Sequence, residues 1–72
     1  RPGDIPALVE VLREEIALRN GIAPPELLPD AMALLAAQPW RGNIRELRNV
    51  LEQAAMRSDA QSIDAEMLRA LL

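Results

Sequence analysis

Apolar residues recur at helical spacing along most of the chain. Ile5, Leu8, Val9, Leu12 and Ile16 share one side of a helix, while Glu10, Arg13, Glu14 and Arg19 fall elsewhere. This spacing predicts a first helix over 5–19. Asp4 stands at its N-cap, and Pro6 lies in the first turn, where a missing N–H matters little. Asn20-Gly21 should end it, with Gly21 in the left-handed C′ position and Ile22 folding back onto the last turn. Glu14-Glu15 reads as a solvated face.

Ala23-Pro24-Pro25 is a stiff connector, and a second helix is predicted over 29–37. Pro29 suits its first position and Asp30 its dipole. Ala31, Met32, Leu34, Leu35 and Ala37 make it almost wholly apolar, which predicts burial on most sides. Pro39 stops it, because the residue before a proline is pushed out of the helical region. Trp40 and Gly42 fall in the next turn. Trp40 reads as a core anchor between helices two and three, with an indole N–H that needs a partner.

A third helix is predicted over 44–57. Ile44, Leu47, Leu51, Ala54 and Ala55 form its apolar stripe. Arg45, Arg48 and Glu52 border that stripe, with Arg48 and Glu52 at i,i+4 spacing. Residues 58–62 form a polar loop, and Asp64 caps a last helix over 65–71, whose apolar side is Met67, Leu68, Leu71 and Leu72. The fold class is therefore all-α, a small four-helix bundle over 4–72. Arg1-Pro2-Gly3 reads as a linker from something larger, and the ending on Leu71-Leu72 also suggests an excised piece.

Composition narrows the chemistry. Half of the 72 residues are apolar, with one Trp and no Phe or Tyr, so the core is aliphatic. There is no Lys, His or Cys. That excludes disulfides, His/Cys metal sites, a catalytic His or Cys and the lysine of a P-loop. No catalytic residue and no metal ligand is expected on this chain. Eight arginines against 11 acidic residues leave a net charge of −3, the wrong balance for a DNA-binding module. No apolar run reaches membrane-spanning length and no signal-peptide pattern occurs.

One cation stands where helix physics disfavours it. Asn43 and Glu46 have capping-box spacing, so a helix should begin at Ile44. Arg45 then sits in the first turn, beside the positive end of the dipole and unpaired backbone N–H groups. An arginine and a helix N-terminus pointing the same way make a place for a phosphate. The alternative is a surface arginine paired with Glu46 or another carboxylate.

The segment Trp40-Arg41-Gly42-Asn43-Ile44-Arg45-Glu46-Leu47 closely resembles the W-P-G-N-[VI]-R-E-L signature of bacterial sigma-54-dependent transcription activators, which are AAA+ ATPases. In that family the signature lies in the helical lid after the nucleotide-binding αβ core. Arg1-Pro2-Gly3-Asp4-Ile5-Pro6-Ala7-Leu8 looks like the R-x-x-D-I-P-x-L entry to this lid. Leu28 to Trp40 resembles its second helix and turn, and Asn49-Val50-Leu51-Glu52-Gln53-Ala54 and Ile63 continue the pattern.

The resemblance implies that Arg45 is the sensor 2 residue, which reads the γ-phosphate of ATP and couples it to the angle between lid and core. Ile44 is a candidate contact on the adenine or ribose side, and Arg41 and Arg48 are candidate supporting cations. Trp40, Gly42, Asn43, Glu46 and Leu47 form the structural motif. Arg41 replaces the usual proline, so the turn loses a fixed φ and gains a second cation, which is either supporting or simply solvated. Arg48 reads equally as a bridge to Glu52.

The function implied is that of a nucleotide-sensing lid in a cytoplasmic bacterial regulator. ATP or ADP with Mg2+ is the implied cofactor of the intact module, with no tight binding expected to the isolated lid. The implied partners are the αβ core, neighbouring subunits of a hexameric or heptameric ring, and sigma-54 RNA polymerase through a part absent here. Neither direct DNA binding nor a membrane is expected. The chain is not an enzyme alone, since hydrolysis needs the P-loop core. A helix-turn-helix-like DNA-binding module and a protein-interaction bundle are the alternatives.

Overall fold

The computed structural model describes residues 4–40, 44–57 and 61–72. The predicted linker 1–3, the turn residues Arg41, Gly42 and Asn43, and residues 58–60 of the polar loop lie outside the described residues. Four helices carry the architecture: α1 (Ile5–Asn20), α2 (Pro29–Ala37), α3 (Ile44–Met56) and α4 (Ala65–Arg69). Two short strands, β1 (Glu26–Leu27) and β2 (Ser62–Ile63), precede α2 and α4.

The buried side chains explain why these segments are helices. Ile5, Val9, Leu12 and Ile16 pack the inner face of α1 against Leu47, Leu51, Ala54 and Ala55 of α3 and Ala31 and Leu35 of α2. Ile63 and Leu68 complete the core from the last segment. Gly21 adopts φ 64° and ψ 36°, its N–H donates to the Ala17 carbonyl, and so does the Ile22 N–H at 3.0 Å. That is a Schellman ending, with Ile22 packed back against the core. The connector that follows is tied to α1, because Arg13 Nε donates to the Pro25 carbonyl at 2.8 Å.

The strand pair escapes the periodicity. β1 and β2 run parallel in the register Glu26↔Ser62 and Leu27↔Ile63, with the Glu26 N–H donating to Gln61 O and the Leu28 N–H to Ile63 O. Parallel strands need a long crossover, which α2 and α3 provide. The pairing sets the starts of α2 and α4 side by side. Asp64 caps α4, its Oδ1 accepting from the Met67 N–H at 3.0 Å. Asp30 of α2 adds a second acceptor there, its Oδ2 3.3 Å from the Ala65 N–H.

Several expectations are corrected. Asp4 occupies the N-cap position at φ −102° and ψ 12°, yet its side chain does not cap α1. Helix α2 buries Ala31 and Leu35 but exposes Ala33, Ala36 and Ala37, because α1 and α4 cover only one side of so short a helix. Helix α4 ends at Arg69, since the Leu71 and Leu72 N–H groups both turn back to Leu68 O and leave Leu72 exposed. On α3, Val50 joins the buried face and Ile44 leaves it, 47% exposed. Ile44 is the first residue of α3. Trp40 is buried, and its Nε1 donates to the Leu35 carbonyl at 2.7 Å, a second donor beside the Gln38 N–H at 3.2 Å in the last turn of α2.

Candidate functional site

The start of α3 gathers the residues of interest. Leu47 is fully buried and fixes the rotation of the helix, so Ile44, Arg45 and Glu46 all face outward on the first turn. Among the described residues Arg45 makes no ion pair or hydrogen bond. An exposed apolar side chain and an exposed cation therefore stand together at the positive end of a 13-residue helix. Trp40 and Leu47 are buried in the core.

Arg48 does not bridge to Glu52. Its Nη2 reaches across to Glu15 Oε1 of α1, at 2.9 Å. Glu52 is engaged from the other side: Asn20 Nδ2 donates to its Oε2 at 2.9 Å, and Arg19 Nη1 lies 3.4 Å from its Oε1. Asn20 Nδ2 also donates to the Ile16 carbonyl at 2.9 Å, so one amide joins the end of α1 to α3. Glu15, Ile16, Arg19 and Arg48 line a groove along this seam.

Glu15 is thus the partner that sequence reasoning assigned to a solvated face. It borders Ile16 on α1, as Arg48 borders Leu47 on α3, and complementary charges flanking two apolar stripes are the signal that could have paired them. Arg41, Gly42 and Asn43 lie outside the described residues, and with them one half of the capping box. Among the described residues no group of three or more acidic side chains is placed to hold a metal ion. No helix is long and apolar enough to cross a membrane.

An anionic ligand fits the Arg45 end of α3. The guanidinium is exposed, it has no carboxylate among the described residues to displace, and the helix dipole adds to its field. Ile44 beside it offers exposed apolar surface.

Known proteins resemble this chain over its whole length. The family model described as AAA+ ATPase lid domain matches residues 1–72. The anaerobic nitric oxide reductase transcription regulator NorR of Aeromonas hydrophila is 38% identical over 61 residues, which cover 85% of this chain and 12% of that protein. The sigma54-dependent transcriptional activator SfnR of Pseudomonas putida is 38% identical over 69 residues, 96% of this chain and 19% of its own length. The crystal structure of NtrX from Brucella abortus in complex with ADP superposes with a TM-score of 0.82 at 43% identity, covering 99% of this chain and 17% of NtrX. The chain thus spans between 12% and 19% of these relatives.

Proposed function

The chain belongs to the AAA+ ATPase lid domain family, in the branch found in sigma-54-dependent activators, and from that premise we propose that it is a nucleotide-sensing lid. In this reading it couples ATP binding and hydrolysis, carried out in an αβ core, to the conformational change that drives transcription activation. The observation that carries it is Arg45, an exposed cation at the start of α3, facing away from every partner among the described residues.

Arg45 is the sensor 2 residue of this proposal. Its guanidinium would hold the γ-phosphate of a nucleotide bound by the core, with Ile44 against the base or ribose. That a related protein, NtrX, is described in complex with ADP supports a nucleotide as the ligand. ATP with Mg2+ supplies the phosphoryl group whose presence is read. A guanidinium–phosphate bond is worth roughly 1.5–3 kcal/mol, which shifts a two-state hinge by one to two orders of magnitude. Leu47 makes that bond mechanically useful, because a fully buried side chain two residues away transmits a pull on Arg45 to the bundle.

The family supports the remaining assignments of this proposal. The partners are the αβ core of the same protein, neighbouring subunits of the ring, and sigma-54 RNA polymerase through another part of the parent. The location is the bacterial cytoplasm. Hydrolysis belongs to the core, since this chain has no Lys for a P-loop. A DNA-binding reading gains nothing from the described ion pairs: Arg13, Arg19 and Arg48 each face a carboxylate, so these three offer no free charge to a phosphate backbone.

The test is Arg45→Ala in the full-length ATPase. Turnover and nucleotide-dependent assembly should both fall by tenfold or more, as expected for a lost charge-assisted phosphate contact of about 1.5–3 kcal/mol. Unchanged values of both would overturn the assignment.

A further inference from the structure

Arg48 is held by a weak partner and stands one turn from Arg45. Its bond to Glu15 spans the α1–α3 seam at 2.9 Å, and both side chains are well exposed, 36% for Arg48 and 53% for Glu15. A pair so wetted stabilises its closed form by at most about fivefold. Glu52, the carboxylate one turn on, does not compete for Arg48, because Asn20 and Arg19 already engage it. Glu15 is therefore the one carboxylate that restrains this arginine among the described residues.

Arg48 also lies one turn after Arg45 on α3. Helical side chains lean toward the N-terminus, so an Arg48 released from Glu15 reaches back over the turn that carries Arg45. The dipole of α3 favours an anion at that end, and two guanidinium groups one turn apart can share one phosphate. A charge-assisted phosphate contact is worth roughly ten- to a hundredfold in affinity, more than the exposed pair gives up.

Resting on the reading of Arg45 as a phosphate sensor, we propose that Arg48 is a second phosphate-binding residue of the same site, latched to Glu15 until nucleotide engages. Glu15 acts through Arg48: it tunes nucleotide affinity downward without touching the ligand. The latch ties nucleotide state to the α1–α3 seam, because capture of Arg48 opens one of the polar links that join these helices.

The experiment measures binding rather than turnover, by titrating the full-length protein with a fluorescent ATPγS analogue in Mg2+. Glu15→Gln should tighten binding by about two- to fivefold, the share of the lost pair. Glu15→Ala serves as the second release variant, since alanine keeps the helix. Arg48→Ala should weaken binding by about tenfold, and adding Glu15→Gln to it should change nothing further. Weaker or unchanged binding in both Glu15 variants overturns the latch, as does tightening that persists without Arg48. Arg45→Ala, measured in parallel, separates the two ideas. If it leaves affinity unchanged, the sensor assignment fails; if it weakens binding while the Glu15 variants do nothing, only the latch fails.

Discussion

Asp30, in the first turn of α2, accepts a hydrogen bond from the Ala65 N–H at the start of α4, with 3.3 Å between the atoms. One carboxylate thus faces the positive ends of two helices, its own and a neighbour's. The β1–β2 pair brings this about, because parallel strands deliver the chain to α2 and α4 side by side. Asp30→Ala removes an acceptor from a helix N-terminus and a favourable charge from two dipoles. It should lower stability by about 1–2 kcal/mol, and Asp30→Asn, which keeps an acceptor, by less. Urea unfolding of the 72-residue chain, followed by Trp40 fluorescence, checks both values.

Trp40 supplies that signal and tests its own role. It is buried, and its indole N–H donates to Leu35 O at 2.7 Å. Emission should be blue-shifted in the folded chain and move to the red in a single transition. Trp40→Phe loses the hydrogen bond and some volume, at about 1–2 kcal/mol. Trp40→Ala costs about 3–5 kcal/mol. A core of this size supplies only about that much in total. Circular dichroism of Trp40→Ala should therefore show no cooperative melt.

Gly21 gives a sharper estimate, because no steric neighbour contributes. A Cβ added there meets nothing within 4 Å, so sterics with neighbours play no part. The φ of 64° remains, and a left-handed conformation costs a non-glycine residue about 1–2 kcal/mol. Gly21→Ala should destabilise by that amount, and Gly21→Asn by less, since asparagine tolerates this region. A melting temperature for Gly21→Ala equal to that of the parent would contradict the Schellman ending.

The residues behind these predictions differ in how visible they are in the sequence. Ile5, Val9, Leu12 and Ile16 announce α1 through their spacing alone, and Asn20-Gly21 announces its end, because both signals are local. Glu26-Leu27 carries no such signal. Two residues are too few for a period, and their pairing with Ser62-Ile63 depends on helices folding in between. Arg48 shows the same limit on the surface. Local spacing points to its i+4 neighbour Glu52, but the folded bundle pairs it with Glu15 and gives Glu52 to Asn20. Ile44 sits on the apolar stripe of α3 by angle, yet none of the described elements buries it. Angle is periodic and legible; coverage is tertiary and is not.

Arg45 and Arg48 should move stability in opposite directions, although both are arginines on one helix. Arg45 has no ion pair among the described residues and lies at the positive end of α3, so Arg45→Ala removes a mildly unfavourable charge and adds a better helix former. The 72-residue chain should then be as stable as before or more stable by about 0.3–1 kcal/mol, with its melting temperature level or a few degrees higher. Arg48→Ala loses the Glu15 pair and should lower stability by about 0–1 kcal/mol, an effect that shrinks in high salt. The contrast matters for the functional test. An Arg45→Ala ATPase that has lost its nucleotide response while its lid melts no earlier cannot owe that loss to unfolding. Calorimetry of the two variants at low and high ionic strength reads the signs directly, and a clear fall in melting temperature for Arg45→Ala would mean that the guanidinium contributes to the fold itself.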